Sequence, residues 1–260
     1  MHASKIAAHE ARFFNDKSDS NGIKFDLDER SIRIRNTEEV MDFTKCRRED
    51  GVESYFEDEQ NQKTQIVLHH TAGYLKGDLA ALTKVNNRVS TAFLIARDGT
   101  ILNLFPWDCW SYHLGPGAVG GNKSGAKRTI GIELSNIGWL QEVNGQLCSP
   151  YSKTDVYCDL SETQYYTKLE TPYRKHQYYA TFTDEQYDSV IKVLRFLTNQ
   201  FDIPRGFLPE SERFVLGSNP SLPHFKGITS HVNYQASGKW DISPAFDWDR
   251  LISGVQLLHT

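Results

Sequence analysis

Hydrolysis at a metal centre needs a small set of side chains. Three ligands come from His, Asp, Glu or Cys with a fourth place left for water, joined by a base and by a cation near the oxygen that turns negative. Two histidines and a carboxylate in this chain meet the ligand requirement if their strands run side by side. His69 and His70 close the apolar run Gln65-Ile-Val-Leu-His-His. His231 stands near the end of Gly227-Ile-Thr-Ser-His-Val, and Asp241 follows ten residues later. Side chains alternate along a strand, so His69 and His70 point to opposite faces and only one of them serves a metal; spacing does not choose between them. Lys239 lies two residues before Asp241, so in an extended segment both share a face while Trp240 takes the other. In Arg128-Thr-Ile-Gly-Ile-Glu-Leu, the residues Ile130, Ile132 and Leu134 alternate toward a core, and Thr129, Gly131 and Glu133 take the opposite face. Glu133 is therefore the candidate general base.

These positions need a scaffold, and the patterning supplies one. Residues 65–70 read as a buried strand that enters a turn at Thr71-Ala-Gly73. Leu79, Leu82 and Val85 fall at helical spacing within residues 78–89. The apolar runs at 91–96 and 100–105 flank Arg97-Asp98-Gly99, which predicts a β-hairpin. Thr183-Asp-Glu-Gln186 is a capping box, and the stripe Tyr187, Val190, Ile191, Leu194, Leu197, Phe201 predicts the helix it opens. A strand at 227–232 and a last helix near 247–254 complete the pattern. Such alternation predicts an α/β fold with a single mixed central β-sheet flanked by helices. Residues 1–60 are charged and poor in apolar periodicity; they read as an N-terminal extension packed on the main domain of 61–260, with Ile23-Lys-Phe-Asp-Leu as an edge strand. Residues 139–180, rich in Tyr, Ser, Thr, Gln and Lys, exceed an ordinary connection and read as an insertion with some local structure.

Composition removes several alternatives. A net charge of −4 over 260 residues argues against a nucleic-acid binder that works by phosphate neutralisation. The N-terminus has no secretory pattern and nowhere do 18 apolar residues run together, so synthesis in the cytoplasm without a Sec signal and without a membrane span is expected. The four cysteines, Cys46, Cys109, Cys148 and Cys158, form no C-x-x-C pair and read as buried or half-buried thiols; a Cys148–Cys158 disulfide is the alternative in an oxidising compartment. Gly117-Ala-Val-Gly-Gly-Asn-Lys-Ser124 approximates a phosphate loop, but Asn122 separates Gly from Lys and no strand leads into it. Neither H-E-x-x-H nor G-x-S-x-G occurs.

Five separated segments share the order and spacing of a known family. They are Ile66-Val-Leu-His69-His70-Thr-Ala-Gly, Ala96-Arg-Asp-Gly-Thr, Tyr112-His113-Leu-Gly, Ile130-Gly-Ile-Glu133, and His231 through Lys239-Trp-Asp241 to Pro244-Ala-Phe-Asp-Trp. Over roughly residues 64–136 and 181–252 the chain resembles the type 2 zinc N-acetylmuramoyl-L-alanine amidases, which include AmpD-like amidases, phage lysozyme-amidases and peptidoglycan recognition proteins. The resemblance implies Zn²⁺ on His69, His231 and Asp241, Glu133 as base and Lys239 as partner of the oxyanion. His70 then faces away, into packing or a hydrogen bond to a ligand. His113 corresponds to a cleft-lining histidine, with Tyr112 where a tryptophan is usual. Thr91 stands where phage members carry a tyrosine, which removes a tyrosine-assisted mechanism and leaves Thr91 as a substrate contact. Among Trp107, Trp110 and Tyr112, Trp110 is the expected contact to a sugar ring.

The implied activity is cleavage of the amide between N-acetylmuramic acid and L-alanine, with peptidoglycan or muropeptides as substrate. The alternatives are a non-catalytic muropeptide-binding module, a cytoplasmic recycling amidase, and an endopeptidase of the same polymer. The extra length at 1–60 and 139–180 favours a wall-degrading lysin or antibacterial effector. That role carries the expectation of delivery to the periplasm or wall by a lysis pore or specialised secretion system, and of an immunity or delivery protein as partner.

Overall fold

The β3 run Gln65–His70 is buried at all six positions. A strand with no polar alternation belongs in the middle of a sheet covered on both faces. The computed structural model describes residues 2–217 and 219–257. In chain order, helix α1 (His2–Asp16) precedes strands β1 (Phe25–Arg33), β2 (Val40–Arg48) and β3 (Gln65–His70). Helix α2 (Leu75–Leu82), the hairpin β4 (Phe93–Ile95) and β5 (Ile101–Asn103), helix α3 (Asn122–Arg128) and β6 (Thr129–Leu134) follow. Five strands come next: β7 (Trp139–Val143), β8 (Gln146–Cys148), β9 (Val156–Asp159), β10 (Tyr166–Tyr173) and β11 (His176–Ala180). Helices α4 (Asp184–Phe201) and α5 (Glu210–Arg213), strand β12 (Gly227–Ser230) and helix α6 (Trp248–Gln256) end the described chain.

The central sheet has the order β1-β2-β5-β4-β6-β3-β12. Its β1/β2 and β4/β5 pairs are antiparallel and the remaining pairs parallel, so the sheet is mixed. Helix α4 starts where Thr183 accepts from Gln186 N and the Gln186 side chain answers the Thr183 amide. Its buried Val190, Val193, Leu194 and Leu197 pack on the sheet and against α6. Among the described residues, no helix is long and apolar enough to cross a membrane.

The structure adds detail in three segments. Residues 1–60 are built into the domain: β1 and β2 widen the central sheet, and Phe13, Phe25, Met41, Phe43 and Tyr55 enter the main core. Helix α2 stops at Leu82, short of Val89; beyond it Asn86 and Arg88 take positive φ, so the chain does not resume a helical path, and Val85 and Val89 are exposed. The stretch 139–180 forms a second sheet of order β10-β11-β7-β8-β9 around Leu140, Leu147, Tyr157, Cys158 and Tyr178. Ile6 of α1 joins that cluster, so the first helix bridges the two sheets. The four cysteines are buried thiols, with Cys148 opposite Val156 and Cys158 opposite Leu147.

Candidate metal centre and active site

Strand register brings the chemistry together. In the parallel ladders His69 pairs with Glu133, and Leu68 pairs with Ser230. His231, one residue beyond Ser230, therefore reaches the level of His69 and Glu133 at the C-terminal edge of three adjacent strands. Such edges are where open α/β sheets place their ligand sites. Beyond β12 the chain makes a short turn in which the Asn233 side chain meets the Ser230 amide, and the Val232 amide donates to the Asp241 carbonyl. That second bond folds the 235–241 loop back on His231. Asp241 Oδ2 then lies 2.8 Å from His231 Nδ1 and 3.3 Å from His69 Nδ1, and the two Nδ1 atoms are 2.9 Å apart. All three side chains are buried.

The protons around this cluster are set from outside it. Thr129 Oγ1 donates to the Gly125 carbonyl, so it accepts from His113 Nε2 at 2.8 Å. The other nitrogen of a neutral His113, Nδ1, then accepts from His69 Nε2 at 3.0 Å, which leaves His69 Nδ1 as a bare lone pair. His231 Nε2 donates to the Leu114 carbonyl at 3.0 Å, which turns its Nδ1 toward Asp241. Burial and then the neighbouring His231 lower the His69 pKa to about 3, and burial holds His113 well below its ordinary value, so both rings are neutral. Burial alone would raise Asp241, but His231 and His69 beside it outweigh that and hold it well below the usual carboxylate range. Two imidazole nitrogens and a carboxylate oxygen thus converge, each within 3.3 Å of the other two. Ligand atoms bound to zinc at about 2.0–2.2 Å in a tetrahedron stand about 3.3 Å from one another, and the cluster fits a cation of that kind. Neutral imidazoles and an ionised carboxylate are also the protonation states that a metal requires.

The family model described as N-acetylmuramoyl-L-alanine amidase matches residues 59–244. The chain belongs to the N-acetylmuramoyl-L-alanine amidase family. A search of curated protein sequences finds no match. Among solved structures, the chain is similar to the complex of the N-acetylmuramyl-L-alanine amidase AmiD from E. coli with the substrate anhydro-N-acetylmuramic acid-L-Ala-D-gamma-Glu-L-Lys, at 20% identity and TM-score 0.48 over 76% of this chain and 59% of that one. AmpDh3 from Pseudomonas aeruginosa matches at 15% identity and TM-score 0.44, over 76% of this chain and 61% of that one. The endolysin LysCS from Clostridium intestinale URNW matches at 14% identity and TM-score 0.42, over 78% of this chain and 91% of that one. The chain thus spans less than two thirds of the AmiD and AmpDh3 chains it matches.

In this amidase-family chain the cluster opens into a cavity of about 580 Å³ whose lining includes Glu133, Lys239, His113 and Thr91. Glu133 Oε2 is sealed from solvent and has no hydrogen-bond partner among the described residues. Burial, followed by the Asp241 and Asp78 carboxylates, raises the Glu133 pKa well above its ordinary value, while the Lys239 charge opposes the rise. A buried carboxylate oxygen left unpaired costs stability, which makes a purely structural role a poor account of it. Thr91 donates to the Phe93 carbonyl and turns its methyl toward Gly131.

Four placements differ from the sequence expectations. Trp110 is buried and is not among the cavity-lining residues, because its indole N–H donates to Glu59 at 3.1 Å and Lys127 covers its ring. Trp107 packs against Phe93 and Phe196 in the core, and of the three aromatics only Tyr112 lines the cavity. His70 stays out of the metal cluster, yet it borders the same cavity with its ring beneath Gly138, where an added Cβ would approach Cε1 to 2.8 Å. Trp240 also lines the cavity beside Lys239 and Asp241, since no strand is formed at 239–241 to send it to an opposite face. Thr129 and Gly131 were missed as functional positions, although their i, i+2, i+4 spacing with Glu133 already placed all three on one face.

Proposed function

We propose that this chain is a zinc-dependent hydrolase that cleaves the amide between the lactyl group of N-acetylmuramic acid and L-alanine in peptidoglycan. Family membership supports the reading. The observation that carries it is the level placement of Glu133 beside three convergent candidate metal donors in one cavity. His69, His231 and Asp241 would hold the metal. Zinc in that place supplies an electrophile, which lowers the pKa of a water to about 7 and polarises the substrate carbonyl. Glu133 takes the proton from the attacking water and returns it to the amine of L-alanine as the C–N bond breaks, a role worth roughly two to four orders of magnitude. Lys239, on the same cavity wall, donates to the carbonyl oxygen as it gains charge.

Incubation of the purified protein with peptidoglycan tests the reading: free stem peptides are expected, their release should stop on chelation, and added zinc should restore it. Cross-link fragments in place of stem peptides would reassign the chain as an endopeptidase, and binding without release would reassign it as a binding module. The proposal extends to a wall-degrading role, as lysin or antibacterial effector, with delivery to the periplasm or wall. Its support is the helix, the two sheet strands and the second sheet contributed by residues 1–60 and 139–180. Faster cleavage of intact sacculi than of soluble muropeptides is the expected result.

A further inference from the structure

The second sheet reaches the cavity. Trp139, the first residue of β7, lines it together with Trp240 of the loop that carries Asp241. His176 of β11 stands behind them, stacked on Trp139 with ring centroids 3.7 Å apart and planes at 15°, and tilted against Trp240 at 6.2 Å. Neither tryptophan is fully buried, and neither belongs to a core cluster of the described residues. One aromatic wall is thus assembled from the insertion and the metal-site loop. Within that wall the Trp240 indole N–H is buried and has no hydrogen-bond partner among the described residues. The cavity also carries Ser90 Oγ and Asn122 Oδ1, two further buried polar atoms without a partner among those residues.

A substrate with a sugar on one side of the scissile amide and a peptide on the other has two chemically different halves. A pyranose ring offers a face of C–H groups that packs on aromatic rings, and an N-acetyl carbonyl that accepts one N–H. A stem peptide offers amides and carboxylates, which need hydroxyl, amide or cationic partners. We propose that Trp139 and Trp240, braced by His176, form a subsite for the N-acetylated hexosamine ring next to the cleaved bond, while Ser90 and Asn122 serve the amides of the peptide half. The proposal rests on the amidase reading and adds to it the part of the chain that recognises the sugar.

Two substrates with the same scissile bond separate the halves: an N-acetylmuramoyl tripeptide, and the same tripeptide carrying D-lactate in place of the sugar. The ratio of their kcat/KM values should fall about tenfold in Trp139→Ala and stay within about threefold of wild type in Trp139→Phe, as loss and retention of one aromatic contact require. An unchanged ratio in Trp139→Ala overturns the subsite. A second measurement uses the unaltered protein, whose five tryptophans give separate indole N–H signals in nitrogen-15 NMR. Free N-acetylmuramic acid should move the signals of Trp139 and Trp240 and leave Trp107, Trp110 and Trp248 in place; movement elsewhere, or none, overturns it. Cleavage of neither substrate by wild type would be a failure of the amidase reading, and the sugar titration, which needs no turnover, would still decide the subsite.

Discussion

His113 keeps the proton of His69 on the side away from the metal ligands: its Nδ1 lies 3.0 Å from His69 Nε2, and its own Nε2 donates to Thr129 at 2.8 Å. The orientation of the candidate metal site therefore begins at a threonine hydroxyl two hydrogen bonds away from His69. Thr129→Val keeps the shape of the side chain and removes the acceptor. His113 is then free to take the other tautomer and to compete for the wrong nitrogen of His69. Metal affinity should fall about 10- to 100-fold, as for other partners of ligating histidines. Competition with a chelator of known affinity measures it, and unchanged affinity would remove Thr129 from the relay.

Gly131 supplies the space in which that relay stands. A Cβ there would meet Thr91 Cγ2 at 2.7 Å and His113 Cγ at 3.0 Å. Gly131→Ala should therefore cost about 1–3 kcal/mol of stability through overpacking and weaken metal binding by shifting His113. Thr91→Ser removes the methyl nearest the added carbon, so the double variant should recover part of the stability in urea unfolding. An additive loss in the double variant would show that Thr91 is not the obstacle.

The convergence of His69, His231 and Asp241 was legible because they follow separate strand-and-loop motifs, and parallel register does the rest. The choice between His69 and His70 was not legible from alternation, which assigns opposite faces without naming either; the family resemblance supplied it. Helix α1 escaped notice because Glu10 interrupts the buried positions Ile6 and Phe13, so the stripe does not look apolar. The insertion concealed its strands for a related reason: in β10 most side chains are partly or fully exposed, so no clean alternation marks it. Trp110 sits near Tyr112 and His113 in sequence, but Glu59 and Lys127 hold it elsewhere, and no local pattern encodes those long-range partners.

A base works only when ionised. Burial and the carboxylates of Asp241 and Asp78 raise the Glu133 pKa, so the fraction of Glu133 able to take a proton falls as pH drops, beginning well above the usual glutamate range. The acid limb of kcat/KM should therefore lie at higher pH than an ordinary glutamate would give. Glu133→Gln should retain metal, lose roughly 10²- to 10⁴-fold in turnover and flatten that limb in the residual activity. Undiminished turnover in Glu133→Gln, with metal in place, would take the residue out of the mechanism.

Glu10 ties α1 to the catalytic domain by accepting from the backbone amides of Arg97 and Asp98 in the β4–β5 turn. Burial is the largest influence on it and raises its pKa from 4.5 to about 7, against the opposing pull of those amides. The folded state thus binds the Glu10 proton more tightly than the unfolded chain does. Its contribution to stability is complete below about pH 4.5 and is lost as pH rises to about 7. A shift of this size corresponds to about 3 kcal/mol. Glu10→Gln cannot titrate, so the difference in unfolding free energy between wild type and variant should change by about that amount across the window, with wild type relatively weaker at the upper end. Urea unfolding at closely spaced pH values reads the difference directly; a constant offset between the two proteins would mean that Glu10 ionises in the folded state as it does in the unfolded chain.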